Sequence, residues 1–113
     1  RAIEDTLVVQ LARERGVTFD VCPISNIKLA VFDDYGSHPL RKLMQAGVRC
    51  TISTDDPLVF NNSLTDEYVV LAEEMGFTQA ELGQLAANGW AVADVSQMKR
   101  ELFEQEITRL VNE

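Results

Sequence analysis

At 113 residues the chain is long enough for one small domain with a modest core. Its net charge of −8 argues against binding a DNA or RNA backbone, which needs clustered Lys and Arg, but leaves a small neutral substrate open. No run approaches the ~18 apolar residues of a membrane span and no signal-peptide pattern is visible, so neither a membrane nor a nucleic acid is an expected partner.

The chain opens on Arg1 rather than Met, as a processed product or a piece of a longer protein would. Residues 2–15 read as a helix, with Ile3, Leu7 and Leu11 on one stripe and Val8 and Ala12 beside it. Glu4 and Asp5 suit its first turn, Arg13 and Arg15 its last, and Gly16 stops it. Residues 17–22 read as a strand in which Val17, Phe19 and Val21 alternate, and Pro23 ends it. Residues 24–37 show no period and read as a loop, with a turn at Asp33-Asp34-Tyr35-Gly36. Ser37 or His38 then caps a short helix with Leu40, Leu43 and Met44 on its apolar face and Gly47 as its stop.

Residues 48–53 form the second expected strand, closed by Thr54-Asp55-Asp56-Pro57. Beyond it the pattern is helical. Tyr68, Leu71, Ala72 and Met75 share a face up to Gly76. Thr78-Gln79-Ala80-Glu81 is a capping box, followed by Leu82, Leu85 and Ala86 on one face. Ser96 caps a last helix carrying Leu102, Phe103, Ile107, Leu110 and Val111. Two strands joined by a crossover helix are expected to be parallel, and parallel strands need neighbours on both sides. The expected fold class is therefore α/β, and the expected chain is part of a larger α/β domain.

Cys22 and Cys50 lie at opposite ends of their strands, which argues against a bridge between them. A reduced, cytoplasmic protein is the default expectation. With His38 as its one histidine, the chain cannot build a multi-histidine zinc site alone. His38 itself reads as a capping or packing residue, and Ser25-Asn26 as a turn or a pocket floor. Phe60 reads as a packing residue or a wall of the pocket, and Trp90 as a core or helix-docking residue.

The segment with the most chemistry is Val48-Arg49-Cys50-Thr51-Ile52-Ser53-Thr54-Asp55-Asp56-Pro57. Two adjacent carboxylates end a buried strand, and alternation along a strand would send them to different partners. Strand C-terminal ends are where barrels and open sheets place their chemistry. A cation on one carboxylate relieves their repulsion. The other reading is a polar turn whose aspartates cap the next helix.

Cys22-Pro23-Ile24-Ser25-Asn26, His38-Pro39-Leu40, Gly47-Val48 and Ser53-Thr54-Asp55-Asp56-Pro57, in this order and spacing, resemble the C-terminal third of the adenosine/adenine deaminases of the amidohydrolase superfamily. The resemblance runs from Arg1-Ala2 to about Lys99. It implies that residues 1–113 are the C-terminal portion of a single (β/α)8 TIM barrel, namely strands seven and eight with their helices plus C-terminal helices. It implies a zinc ion (Zn2+) as the metal of the full-length enzyme, with Asp55 as a metal ligand and catalytic residue that orients water and takes its proton. It implies Asp56 as a substrate-binding residue at N7 of a purine. The remaining ligands, the Glu proton donor and a catalytic His fall upstream of Arg1, so this piece is expected to be inactive without the rest of the barrel. The implied reaction is hydrolytic deamination: zinc lowers the pKa of water from ~15.7 toward ~7, water adds at C6 and ammonia leaves.

Thr54-Asp55-Asp56-Pro57-Leu58-Val59-Phe60 followed by Thr65-Asp66-Glu67-Tyr68 is more similar to adenosine-acting members, so adenosine is the expected substrate. Adenine or a related purine nucleoside is the alternative. Asn88-Gly89-Trp90-Ala91 departs from the Asn-x-x-x-Ala-Ser-Phe pattern of many members, which leaves the subfamily open. A reading of another class is a small, non-catalytic α/β interaction module.

Overall fold

Each strand is entered in the same way. Gly16 (φ 65°) and Gly47 (φ 86°) take the left-handed conformation that ends a helix, and the next residue's N–H bonds back to a carbonyl five residues earlier, Val17 to Ala12 and Val48 to Leu43. A side chain at Gly47 would also meet the Arg13 side chain at 2.8 Å. The computed structural model describes residues 1–113. It shows a 3-10 turn at Ala2–Glu4, helix α1 at Thr6–Glu14, strand β1 at Thr18–Val21, helix α2 at Pro23–Lys28, and a second 3-10 turn at Tyr35–Ser37. Helix α3 (Leu40–Gln45), strand β2 (Arg49–Ile52) and helices α4 (Pro57–Phe60), α5 (Leu64–Met75), α6 (Gln79–Val92) and α7 (Gln97–Val111) follow.

The strands are parallel, in the register Thr18 with Arg49, Phe19 with Cys50, Asp20 with Thr51 and Val21 with Ile52. Phe19, Val21, Cys50 and Ile52 share the face that meets the core of Val9, Leu40, Leu43, Val48, Leu71, Phe77 and Leu85. The opposite face is polar. There Asp20 accepts hydrogen bonds from Thr51 Oγ1 at 2.8 Å and Ser53 Oγ at 2.7 Å. Asn88 Nδ2 donates to the Cys50 carbonyl at 2.9 Å and ties α6 to β2. Helix α7 packs on α6 through Trp90 stacked on Phe103 (centroids 4.1 Å apart), and the missing side chain at Gly83 makes room for Val111. The capping box at Thr78 and Glu81 forms as expected.

Four expectations are corrected. The helix expected over residues 2–15 is broken at Asp5, whose carboxylate caps α1 by accepting from the Leu7 and Val8 N–H groups. Val9 and Ala12 face the core, while Leu7 and Leu11 of the expected stripe are exposed. The loop expected over residues 24–37 contains α2, started by Pro23 in its first turn, and the turn at Tyr35–Ser37. The second strand ends at Ile52, so strand alternation does not separate Asp55 from Asp56; a local turn does. Cys22 and Cys50 are free thiols.

Candidate functional site

Both strands exit in the same way, onto short helices begun by proline: Cys22-Pro23 into α2 and Asp56-Pro57 into α4. This places the first turn of α2 beside the corner that follows β2. Ser25, 1% exposed, donates from Oγ to Asp55 Oδ2 at 2.7 Å. Asp55 sits at φ 61°, a left-handed conformation that Asp tolerates better than most residues. Its Oδ1 has no protein partner and is a hard oxygen donor of the kind zinc accepts. Asp56 is extended (φ −111°, ψ 95°) and caps α4, its Oδ1 accepting from the Leu58 and Val59 N–H groups at 3.1 Å each. The capping reading of the Asp-Asp-Pro run thus holds for Asp56, while Oδ2 makes no bond within the chain.

A cleft of about 520 Å³ runs along β1 to this corner and includes Asp20, Cys22, Asn26, His38 and Asp55 in its lining. Burial, reinforced by the negative charges of Asp20, Asp55 and Glu67, pushes the Cys22 thiol up to about 11. A neutral thiol is a poor nucleophile at pH 7. His38 is buried, and both of its ring nitrogens are engaged within the chain. Its Nδ1 accepts from the Leu40 N–H at 3.2 Å, so Nε2 carries the proton and donates to Asn26 Oδ1 at 2.9 Å. Burial is the larger cause that lowers its pKa, to about 4 with the Arg1 amino group free. The capping and packing role expected of His38 is the one observed, with Phe32 against its ring.

Glu67 is the residue that sequence reasoning missed. It is fully buried on α5, with Oε2 accepting from the Ile24 N–H at 3.1 Å and Oε1 from Asn62 Nδ2 at 2.6 Å. Asn62 Nδ2 also donates to the Thr54 carbonyl at 3.2 Å. Burial pushes the Glu67 carboxyl up, and the two donors pull it back down. A signal was present in the sequence: Glu67 lies four residues before Leu71, on the stripe that helical periodicity assigns to the core.

No three His, Cys, Asp or Glu side chains converge within the chain, so it offers a metal one oxygen from Asp55 and not a complete site. No helix is long and apolar enough to cross a membrane.

A family profile described as adenosine deaminase matches residues 1–110. An adenine deaminase of Sinorhizobium medicae (strain WSM419) is 46% identical over 101 residues, which cover 89% of this chain and 31% of that protein. The crystal structure of an adenine deaminase from Arthrobacter aurescens superimposes with a TM-score of 0.95 at 31% identity, over 100% of this chain and 35% of that one. A zinc-bound amidohydrolase from Burkholderia ambifaria has the same fold over 97% of this chain and 31% of its own (TM-score 0.81, 24% identity). The chain spans about a third of the length of the curated relatives it matches. With nearly its whole length matched, the chain belongs to the adenosine deaminase family.

Proposed function

We propose that this chain is the C-terminal part of a zinc-dependent purine deaminase barrel, supplying strands seven and eight, and that Asp55 and Asp56 are its contributions to the active site. The observation that carries the proposal is the Ser25–Asp55 bond: one carboxylate oxygen is held by a buried hydroxyl at the strand C-terminal end, leaving the other free for a cation. The rest of the barrel, upstream of Arg1, is its partner and supplies the remaining ligands and the proton donor.

Zinc, when bound, supplies water of lowered pKa, so that hydrolysis proceeds at neutral pH. Asp55 offers Oδ1 to the metal and takes the proton of the attacking water. Asp56 keeps Oδ1 on the α4 cap and presents Oδ2 to N7 of the purine. An ionised carboxylate and a neutral N7 both only accept, so this contact needs one proton, which we place on Asp56 Oδ2. The amine leaves C6 as ammonia and the ring gains a carbonyl.

Adenine is the substrate we propose. The sequence around Asp55 suggested adenosine, but the relatives matched at 44–52% identity are adenine deaminases. Adenosine remains the second reading, favoured by Thr54 and the Thr65-Asp66-Glu67-Tyr68 run. Ammonia release by the full-length protein from equal concentrations of adenine and adenosine tests both. Preferred turnover of adenine, lost about a thousandfold in Asp55→Ala, is the expected result. Full activity in Asp55→Ala would overturn the proposal.

A further inference from the structure

We propose that Glu67 is a positioning residue, a buried carboxylate that fixes the two loop corners carrying Ser25 and Asp55 and so holds Asp55 in its metal-binding orientation. This rests on the metal-ligand role proposed for Asp55.

The hydrogen bonds close a ring. Ser25 bonds to Asp55, Asp55 is joined by the chain to Thr54, Thr54 accepts from Asn62, Asn62 donates to Glu67, and Glu67 accepts from Ile24, the residue before Ser25. Glu67 thus takes one donor from the corner after β1 and one from the corner after β2. No cation of the chain lies within ion-pair distance of it. An uncompensated buried carboxylate is costly, and the donors that offset it here come from the two loops that flank the Ser25–Asp55 bond.

The ring also accounts for two local costs. Asp55 and Asn61 both hold positive φ without being glycine, which persists only where the surroundings over-determine the backbone. Asn62 Oδ1 is buried without a partner. Flipping the amide would not relieve it, because Oδ1 would then face the Thr54 carbonyl and the Glu67 carboxylate, both acceptors. The site requires two donors from Asn62 and two acceptors from residue 67. Glutamine at 67 offers only one acceptor, so Glu67→Gln opens the ring while conserving volume.

The test uses the full-length protein loaded with zinc. It compares wild type, Glu67→Gln, Asn62→Ala, the double variant, and Thr78→Ala as a remote destabilised control. The readouts are the rate of zinc loss to a chromophoric chelator, and kcat and KM for ammonia release. The proposal expects Glu67→Gln to lose zinc about tenfold faster or more, and to lower kcat with KM within about twofold. The double variant should be no worse than the poorer single one, since one ring is broken once. Thr78→Ala should lower Tm and leave zinc loss and kcat unchanged. Asn62→Ala opens the same ring at another point and gives the same reading where Glu67→Gln does not fold. Wild-type zinc retention and kcat in the ring variants, with only Tm reduced, would overturn the proposal and leave Asp55 as a ligand. A wild-type protein that holds no zinc would overturn the parent reading together with this one.

Discussion

Asp55 and Asp56 are chain neighbours with different tasks because the backbone turns between them. Asp55 at φ 61° meets Ser25, and Asp56 at φ −111° meets the α4 N–H groups. Asn at position 56 keeps both an acceptor for the cap and a donor for N7, whereas Ala has neither. Asp56→Asn in the full-length enzyme should therefore retain substrate binding that Asp56→Ala loses, by about tenfold or more in KM. Equal KM values in the two variants would refute the proton placed on Asp56. His38 gives a second residue-scale outcome. Burial depresses its pKa below the usual 6.5, so the neutral ring contributes stability that is complete above 6.5 and is lost as pH falls through the depressed value. An imidazole NMR titration of the full-length protein, assigned against His38→Gln, should show a midpoint well below 6.5. A midpoint at or above 6.5 would contradict the buried, Nε2-protonated ring. The Asp pair was legible from its place at a strand end. The Ser25 bond and the Glu67 ring were not, because each depends on a bond between residues at least 30 positions apart.

Elements with local causes were the readable ones. The Thr78 and Glu81 side chains satisfy N–H groups three residues away, so the sequence carries the whole interaction. Thr78→Ala should cost about 1 kcal/mol, read as a lower Tm with an unchanged far-UV spectrum at low temperature. An unchanged Tm would mean that helix α6 is held by packing alone. Helix α2 was read as loop because its six residues show no period; Pro23 starts it and Glu67 satisfies one of its early N–H groups from 43 residues away. The apolar stripe on α1 was misplaced for a related reason. Periodicity marks several apolar positions, but only contact with the core, through Val9 and Ala12, decides which are covered.

At the scale of the whole molecule, two parallel strands have one apolar face on the helices and outer edges without a partner strand. Only 17 of 113 residues are buried, while Leu58, Met98 and Leu7 are 94%, 81% and 75% exposed, so apolar surface remains for the rest of the proposed barrel to cover. The 113 residues in isolation should therefore lack a sharp, cooperative melt, and well-dispersed NMR spectra with such a melt would favour the independent-module reading instead. Parallel pairing was legible from two strands and a crossover helix. The proposed barrel came only from the family resemblance, since strand order and closure involve neighbours that this stretch of sequence does not specify.

The central claim is that Asp55 is a zinc ligand of a purine deaminase, and zinc content measures it most directly. Full-length wild-type protein, purified and dialysed against metal-free buffer, is predicted to hold about one zinc ion per chain, with Asp55→Ala falling well below that while Asp20→Ala, on the polar face of β1, does not. Equal zinc in wild type and Asp55→Ala would contradict the account.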